Sequence, residues 1–388
     1  MNKIIYLDAA ASALKPEVVI NAERDFLLNS YANSGRGVCS RAAFVDDMVK
    51  RTRQRVADFI NAQPEQIVFT ANATDSLNRI VNIIIQQPWY SGGQFAVSDL
   101  DHHSARLPWE ALLHRGKIHK MSVCDLDENF DIKIDSIPQC DYLIITAMSN
   151  VLGCAQDVSE IIRVARNKNP NVVAIVDASQ YVVHNKIDVK ELNCDFLVFS
   201  GHKIGADTGI GVLYIRDTEQ YFPDKFGGGM VESVYDMYAA QNTNHDSWIY
   251  QNNGSCWVTM AGPDKWEAGT LPLTQIAGLQ PAIDYLENHR PDLNLIKYMY
   301  DELLKNSLIN ILSRRDATVL TFTVDGMHSL DVGTMLGAYN ICVRVGNMCA
   351  AWIHKKLGLG GTIRVSVGPW NTMDDAKTFV NTIQKIVK

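Results

Sequence analysis

Short apolar runs recur along the chain, separated by segments whose apolar positions repeat at helical spacing. Ile67-Val68-Phe69-Thr70, Phe95-Ala96-Val97, Tyr142-Leu143-Ile144-Ile145, the run from Val172 to Val176, and Phe196-Leu197-Val198-Phe199 read as buried strands. Pro16 to Leu28, Ala42 to Asn61 and Asp75 to Gln86 read as amphipathic helices between or before them. Strands alternating with helices predict a mostly parallel sheet covered on both faces. Ligands of such sheets bind beyond the carboxyl ends of the strands. Asn72 to Thr74, His102, Asn150, Asp177 and Lys203 all follow predicted strands, so one crevice is expected to collect them.

The pattern changes twice. From Gly227 to Lys265 there is little periodicity, three opening glycines and many Asn, Asp, Tyr and Trp residues, which predicts a long loop or lid. A helix from Leu273 to Asn288 follows. Beyond about Ile311, short strands (Thr318 to Phe322, Ile363 to Ser366) alternate with an amphipathic helix from Ser329 to Tyr339, which predicts a small α+β unit. The expected division is a large domain over 17–285, with 1–16 and 286–388 forming a small one.

At 388 residues the chain suits such a pair of cores. Its net charge of −7 leaves no basic footprint for nucleic acid or an anionic membrane. Eight cysteines are scattered without paired or zinc-finger spacing, as expected of free thiols in a reducing compartment. Asp8 interrupts the first apolar residues well short of a secretory core, and a cytoplasmic location is expected.

Two residues carry specific chemistry. The run ending in Asp177 delivers an acid, and the next strand leads to Ser200-Gly201-His202-Lys203. A lysine can bond covalently to an aldehyde cofactor, while an acid keeps the cofactor's ring nitrogen protonated; pyridoxal phosphate is used in this way. Taken singly, Asp177 is also an ordinary strand end and Lys203 an ordinary loop lysine.

The ordered series of motifs resembles the fold-type I pyridoxal phosphate enzymes of aminotransferase class V. Within them it is most similar to the group II, SUF-type cysteine desulfurase and selenocysteine lyase branch. The resemblance runs from Tyr6-Leu7-Asp8 through Asp101-His102-His103, Ser149-Asn150-Val151-Leu152-Gly153, Asp177-Ala178-Ser179-Gln180 and Ser200-Gly201-His202-Lys203. It continues with Glu267-Ala268-Gly269-Thr270, Arg344-Val345-Gly346-Asn347-Met348-Cys349 and Arg364-Val365-Ser366. It implies an α/β fold with a seven-stranded type of sheet and a small C-terminal domain. Lys203 would then hold pyridoxal 5'-phosphate and shuttle protons, Asp177 would pair with its ring nitrogen, Gln180 with its phenolate oxygen, and His102 would stack on its face. Thr74, Ser200 and His202 would contact the phosphate. Thr270 would reach the phosphate of a neighbouring subunit, implying a homodimer with shared sites.

Cys349 separates the reactions this fold hosts. Sulfur abstraction from L-cysteine needs a thiolate that can store sulfur as a persulfide. Cys349 matches the family's catalytic cysteine, and Arg364, with Asn150 and Arg344, matches the substrate-binding set. Arginine's planar fork suits a carboxylate. The short Cys349-to-Arg364 spacing is that of group II, whose members pass sulfur to a dedicated acceptor, usually toward iron–sulfur cluster assembly. Trp248, Tyr250 and Trp257 are candidate docking points for that acceptor, or packing residues.

Several positions depart from the family. Asn347 and Met348 stand where histidines precede the cysteine; Gly35 and Cys39 replace two more. Ala73 replaces a hydroxyl residue, and Gly205-Ala206-Asp207 replaces the usual residues after the lysine. Another class V enzyme (a C–S lyase, selenocysteine lyase, epimerase or aminotransferase) and a non-catalytic sulfur-transfer scaffold stay open at this point.

Overall fold

The structure, a computed structural model, describes residues 3–35, 37–236, 249–252 and 255–388. A two-residue first strand, β1 (Ile5–Tyr6), precedes the large sheet. That sheet comprises β2 (Ile67–Thr70), β3 (Gln94–Ser98), β4 (Lys120–Cys124), β5 (Tyr142–Thr146), β6 (Val173–Asp177), β7 (Phe196–Ser200) and β8 (Gly211–Ile215). Its order is β2-β8-β7-β6-β5-β3-β4, and every pairing is parallel except those of β8. The mostly parallel seven-stranded sheet expected from the sequence is therefore present. β4 and β8 were both missing from the sequence reading; at β4, Lys120, Ser122 and the half-exposed Val123 interrupt the apolar run at the sheet edge.

Helices cover both faces. One core packs residues such as Val45, Val56, Ile60, Leu197, Phe199, Ile276 and Leu279, bringing α1 (Glu17–Asp25) and α2 (Ser40–Ile60) together with the helix Leu273–Asn288. The opposite face packs α3 (Ala73–Ile85) and α4 (His103–His114) through Leu77, Ile80, Trp109 and Leu112. Trp109 stacks on both Phe95 and Tyr142, so α4 begins at a fixed height above the strand ends.

The segment read as a loop or lid is corrected. It contains an antiparallel sheet of β9 (Val231–Asp236), β10 (Ile249–Asn252) and β11 (Ser255–Thr259). Its many polar and aromatic residues hid the short strands, which are too brief to show a clear apolar alternation. Trp257 packs edge-on against Phe226 of its own chain. Trp248 and the side chain of Tyr250 lie outside the described residues.

The C-terminal part builds a four-stranded sheet from β12 (Ile309–Ile311), β13 (Leu320–Val324), β15 (Arg344–Gly346) and β16 (Thr362–Val365), with its own core around Phe322 and Phe379. A short strand, β14 (Ile341–Cys342), pairs in parallel with β1. The N-terminus is thereby stitched to the C-terminal sheet: Ile5 and Leu7 share its core, and Asp8 bridges to Ser366. Among the described residues no helix is long and apolar enough to cross a membrane.

Candidate active site

Parallel strands all end on the same side of a sheet, so the residues that terminate them meet there. Asp177 is the last residue of β6, and Lys203 lies three residues past the end of β7 in a single helical turn, Gly201–Lys203. Together with Thr74, His102, Asn150, Gln180, Ser200, His202, Arg344, Cys349 and Arg364 they line one cavity of about 360 Å³. Eleven of the twelve catalytic, cofactor-binding and substrate-binding candidates from the sequence share this one space.

Lys203 sits deep in it. Its Nζ donates to the carbonyls of Ala10 (2.7 Å) and Ala11 (3.0 Å), both on the turn after β1. Burial, followed by the charge of Arg364, pulls its pKa down to about 8, while Asp177 and Asp8 oppose the shift. A lysine so placed reaches its neutral, nucleophilic form near physiological pH. Asp177 is 5% exposed and accepts the backbone N–H of Ser179 at 3.0 Å. The Gln180 amide nitrogen donates to Ala10 at 2.7 Å.

His102 caps α4. Its Nδ1 accepts from the N–H of Ser104 at 3.2 Å and lies 2.7 Å from the Ser104 hydroxyl, which leaves Nε2 to carry the proton of the neutral ring. Burial lowers its pKa; the nearby charges of Lys203 and His103 add to this, and Asp177 opposes it. His202 is pushed down to about 4 by burial and by Lys203. Both imidazoles are thus neutral at physiological pH. Ser200 Oγ accepts the first N–H of α3, from Ala73, at 2.9 Å. Thr74 is exposed in the first turn of α3, where backbone N–H groups and the helix dipole favour an anion.

The C-terminal part supplies the opposite wall. Met348 and Cys349 both adopt left-handed backbone angles (φ 51° and 56°), unusual for side chains with a Cβ. Five hydrogen bonds hold the turn, one of them from Ala350 N to the Asn347 carbonyl at 2.9 Å. Asn347 Oδ1 accepts from Cys349 N, Asn150 Nδ2 donates to the Met348 carbonyl, His103 N donates to the Cys349 carbonyl, and Ala351 N donates to His103 Nε2. Cys349 is exposed. Cys124, Cys140 and Cys194 are buried, and their thiols are pushed up to about 12 by that burial.

Arg364 is 2% exposed; it donates to the Asn150 carbonyl at 2.7 Å and to Asp8 Oδ1 at 3.2 Å. Arg344 reaches Asp8 Oδ2 at 2.5 Å. The sequence reading gave Asp8 no role, since a residue that ends a short strand carries no signal of what it will face. His103 was likewise legible only as a neighbour of His102. Thr270 does not line this cavity; it is exposed on a separate open cleft with Asn33, Gly35 and Gly227 to Gly229.

In sequence and in fold the chain is similar to known proteins. Aminotransferase class-V matches residues 5–379 of the chain. A cysteine desulfurase of Cronobacter sakazakii is 32% identical over 391 residues, covering 97% of this chain and 92% of the relative. The apo cysteine desulfurase of Thermococcus onnurineus superposes with a TM-score of 0.89 at 30% identity, covering 100% of this chain and 95% of the other. The Escherichia coli cysteine desulfurase CsdA, in an S-sulfonic acid form, gives 0.85 at 30% identity over 98% and 94% of the two chains.

Proposed function

The chain belongs to the aminotransferase class-V family together with cysteine desulfurases, and from that premise we propose that it is a pyridoxal phosphate-dependent cysteine desulfurase. The observation that carries this reading is the convergence of Lys203 from the large sheet and Cys349 from the small one on a single cavity.

The residues present fit the cofactor. Ser179 Oγ, Asn150 Oδ1 and Arg364 Nε are buried in the cavity wall without hydrogen-bond partners among the described residues. Such atoms call for a polar ligand, and pyridoxal phosphate with an amino acid offers both donors and acceptors. Lys203 would hold its aldehyde carbon, Asp177 its ring nitrogen, Gln180 its phenolate oxygen, and His102 its ring face. Thr74, Ser200, His202 and the first turn of α3 would take its phosphate. When bound, the cofactor supplies an electron sink for negative charge at the substrate Cα.

The chain's own residues do the rest. Arg364 and Asn150, with Arg344, orient the carboxylate of L-cysteine, and Lys203 moves the proton at Cα. The Cys349 thiolate attacks the substrate sulfur; the carbon–sulfur bond breaks as the new sulfur–sulfur bond forms. L-Cysteine and the Cys349 thiol become L-alanine and a Cys349 persulfide. The exposure of Cys349 and its short tethered turn support a group II mode, in which an acceptor comes to the enzyme for the sulfur.

The domain boundaries proposed are 17–285 for the large part and 1–16 with 286–388 for the small one; the pairing of β1 with β14 supports joining the two ends. A homodimer is proposed as well. Leu27, Leu28, Tyr31 and Val38 are exposed apolar residues close in sequence to Asn33, Ser34, Gly35 and Gly37, which line the cleft that holds Thr270, and a second copy would cover them and bring Thr270 to its phosphate. Free thiols at buried cysteines support a cytoplasmic setting.

The direct test is purified protein with L-cysteine and a reductant, following sulfide and alanine together. Equal yields of the two support the reading. Pyruvate and ammonia in place of alanine would assign a C–S lyase instead.

A further inference from the structure

Arg344 and Arg364 are cross-strand partners in the antiparallel pair β15–β16. Residues directly opposite point to the same face, and like charges there repel. One of the two, Arg364, is also almost wholly buried, with a side chain 2% exposed, which makes an uncompensated charge costly. The structure resolves this with one carboxylate. Asp8, 8% exposed, accepts from Arg364 through Oδ1 and from Arg344 through Oδ2. Its position is set by main-chain bonds on both sides: Leu7 accepts from Ser366 N at 2.9 Å, and Ser366 from Ala9 N at 3.4 Å.

Two cations and one anion leave a single positive charge facing the cavity. Of the Arg364 fork, one terminal nitrogen is held by the Asn150 carbonyl and the other by Asp8, while Nε is buried and unpartnered. Arg344 has one donor on Asp8, and its side chain is 48% exposed. We propose that Asp8 is the positioning residue for the substrate carboxylate: it neutralises the arginine pair and fixes the orientation in which Arg364 meets the carboxylate. Without its charge the two guanidinium groups repel, Arg344 turns to solvent, and Arg364 keeps one anchor of two. Ligands with a carboxylate then lose orientation; ligands without one do not. This inference rests on the reading of L-cysteine as substrate.

The test is binding to the holoenzyme, read from the change in cofactor absorbance, of L-cysteine and of cysteamine, which keeps the amine and thiol but lacks the carboxylate. In Asp8→Asn the dissociation constant for L-cysteine should rise about tenfold or more, and that for cysteamine by less than about twofold. Adding Arg344→Gln removes the repulsion, so the double variant should bind L-cysteine within about threefold of Arg344→Gln alone. Asp8→Glu keeps the charge and should restore much of the L-cysteine affinity. Equal weakening toward both ligands, additive effects in the double variant, or equal damage from Asp8→Glu and Asp8→Asn would each overturn the proposal and leave Asp8 a structural residue. Failure of the desulfurase reading is distinct: the unaltered enzyme would then release no sulfide from L-cysteine.

Discussion

The backbone N–H of His103 donates to the carbonyl oxygen of Cys349 at 2.7 Å, and the ring of the same histidine accepts from Ala351 N at 3.1 Å. The first residue of α4 therefore clamps the turn that carries Cys349 from both sides. Its neighbour His102 faces the cavity beside Lys203 and Asp177. The proposed cofactor face and the proposed sulfur nucleophile are thus positioned by two consecutive residues of one helix start, itself anchored through the stacked Trp109.

That clamp gives a first prediction. His103→Ala removes one accepted hydrogen bond, worth about 1 kcal/mol or about fivefold in the ordered population of the turn. Sulfide release should fall by that order while cofactor absorbance stays unchanged, and amide exchange over residues 347–352 should accelerate. The pH dependence has a definite sign. Burial lowers the His103 pKa, so the neutral, accepting ring is the folded form; the clamp holds at neutral pH and weakens as pH falls below the usual imidazole range of about 6.5. Exchange protection that is flat with pH across this range would contradict it.

The proposed role of Lys203 is tested by loading of the cofactor. Cofactor-free protein mixed with pyridoxal phosphate should gain visible absorbance at a rate that rises with pH and levels off above about 8, because the neutral amine is the nucleophile. A lysine at its ordinary value would keep gaining well beyond that pH. Lys203→Ala should show no stable visible band and no borohydride-trapped adduct.

Cys349→Ser tests the sulfur step alone. The variant should keep the cofactor and its spectral response to L-cysteine, yet lose sulfide release by about 100-fold or more, since a hydroxyl is a far poorer nucleophile and cannot store sulfur. Unchanged sulfide release would move the chemistry to direct C–S elimination.

Stability has its own weak point away from the chemistry. Arg53 and Glu267, nearly buried, form a two-pronged ion pair with both contacts at 2.7 Å, and Glu267 also accepts from Phe69 N. The pair ties α2 and β2 to the segment carrying Thr270. Glu267→Ala leaves a buried, uncompensated arginine and should cost about 3–5 kcal/mol in a denaturant titration. A loss under about 1 kcal/mol would mean that water or another group compensates Arg53.

The class of fold was legible because strands buried on both faces are continuous apolar runs, and β2, β5, β6 and β7 announce themselves as such. The helix Leu273–Asn288 was placed to the residue by its apolar spacing. Residues that follow such strands must gather at one end of the sheet, so Lys203, Asp177 and His102 could be grouped before any coordinates. β9 to β11 were not legible: three short strands among many polar residues leave too few apolar positions for a periodicity, and their composition reads as loop. Which side chains are chemically able to act could be read directly, since a lysine, an acid, a thiol and an arginine are written into the chain. How they are held depends on packing between distant parts of the fold. Asp8 meets Arg344 and Arg364, more than 330 residues away along the chain, through the pairing of β1 with β14, and His103 meets Cys349 through the packing of α4 against the small sheet's turn. Such contacts depend on long-range register and close packing, which no local pattern of residues encodes.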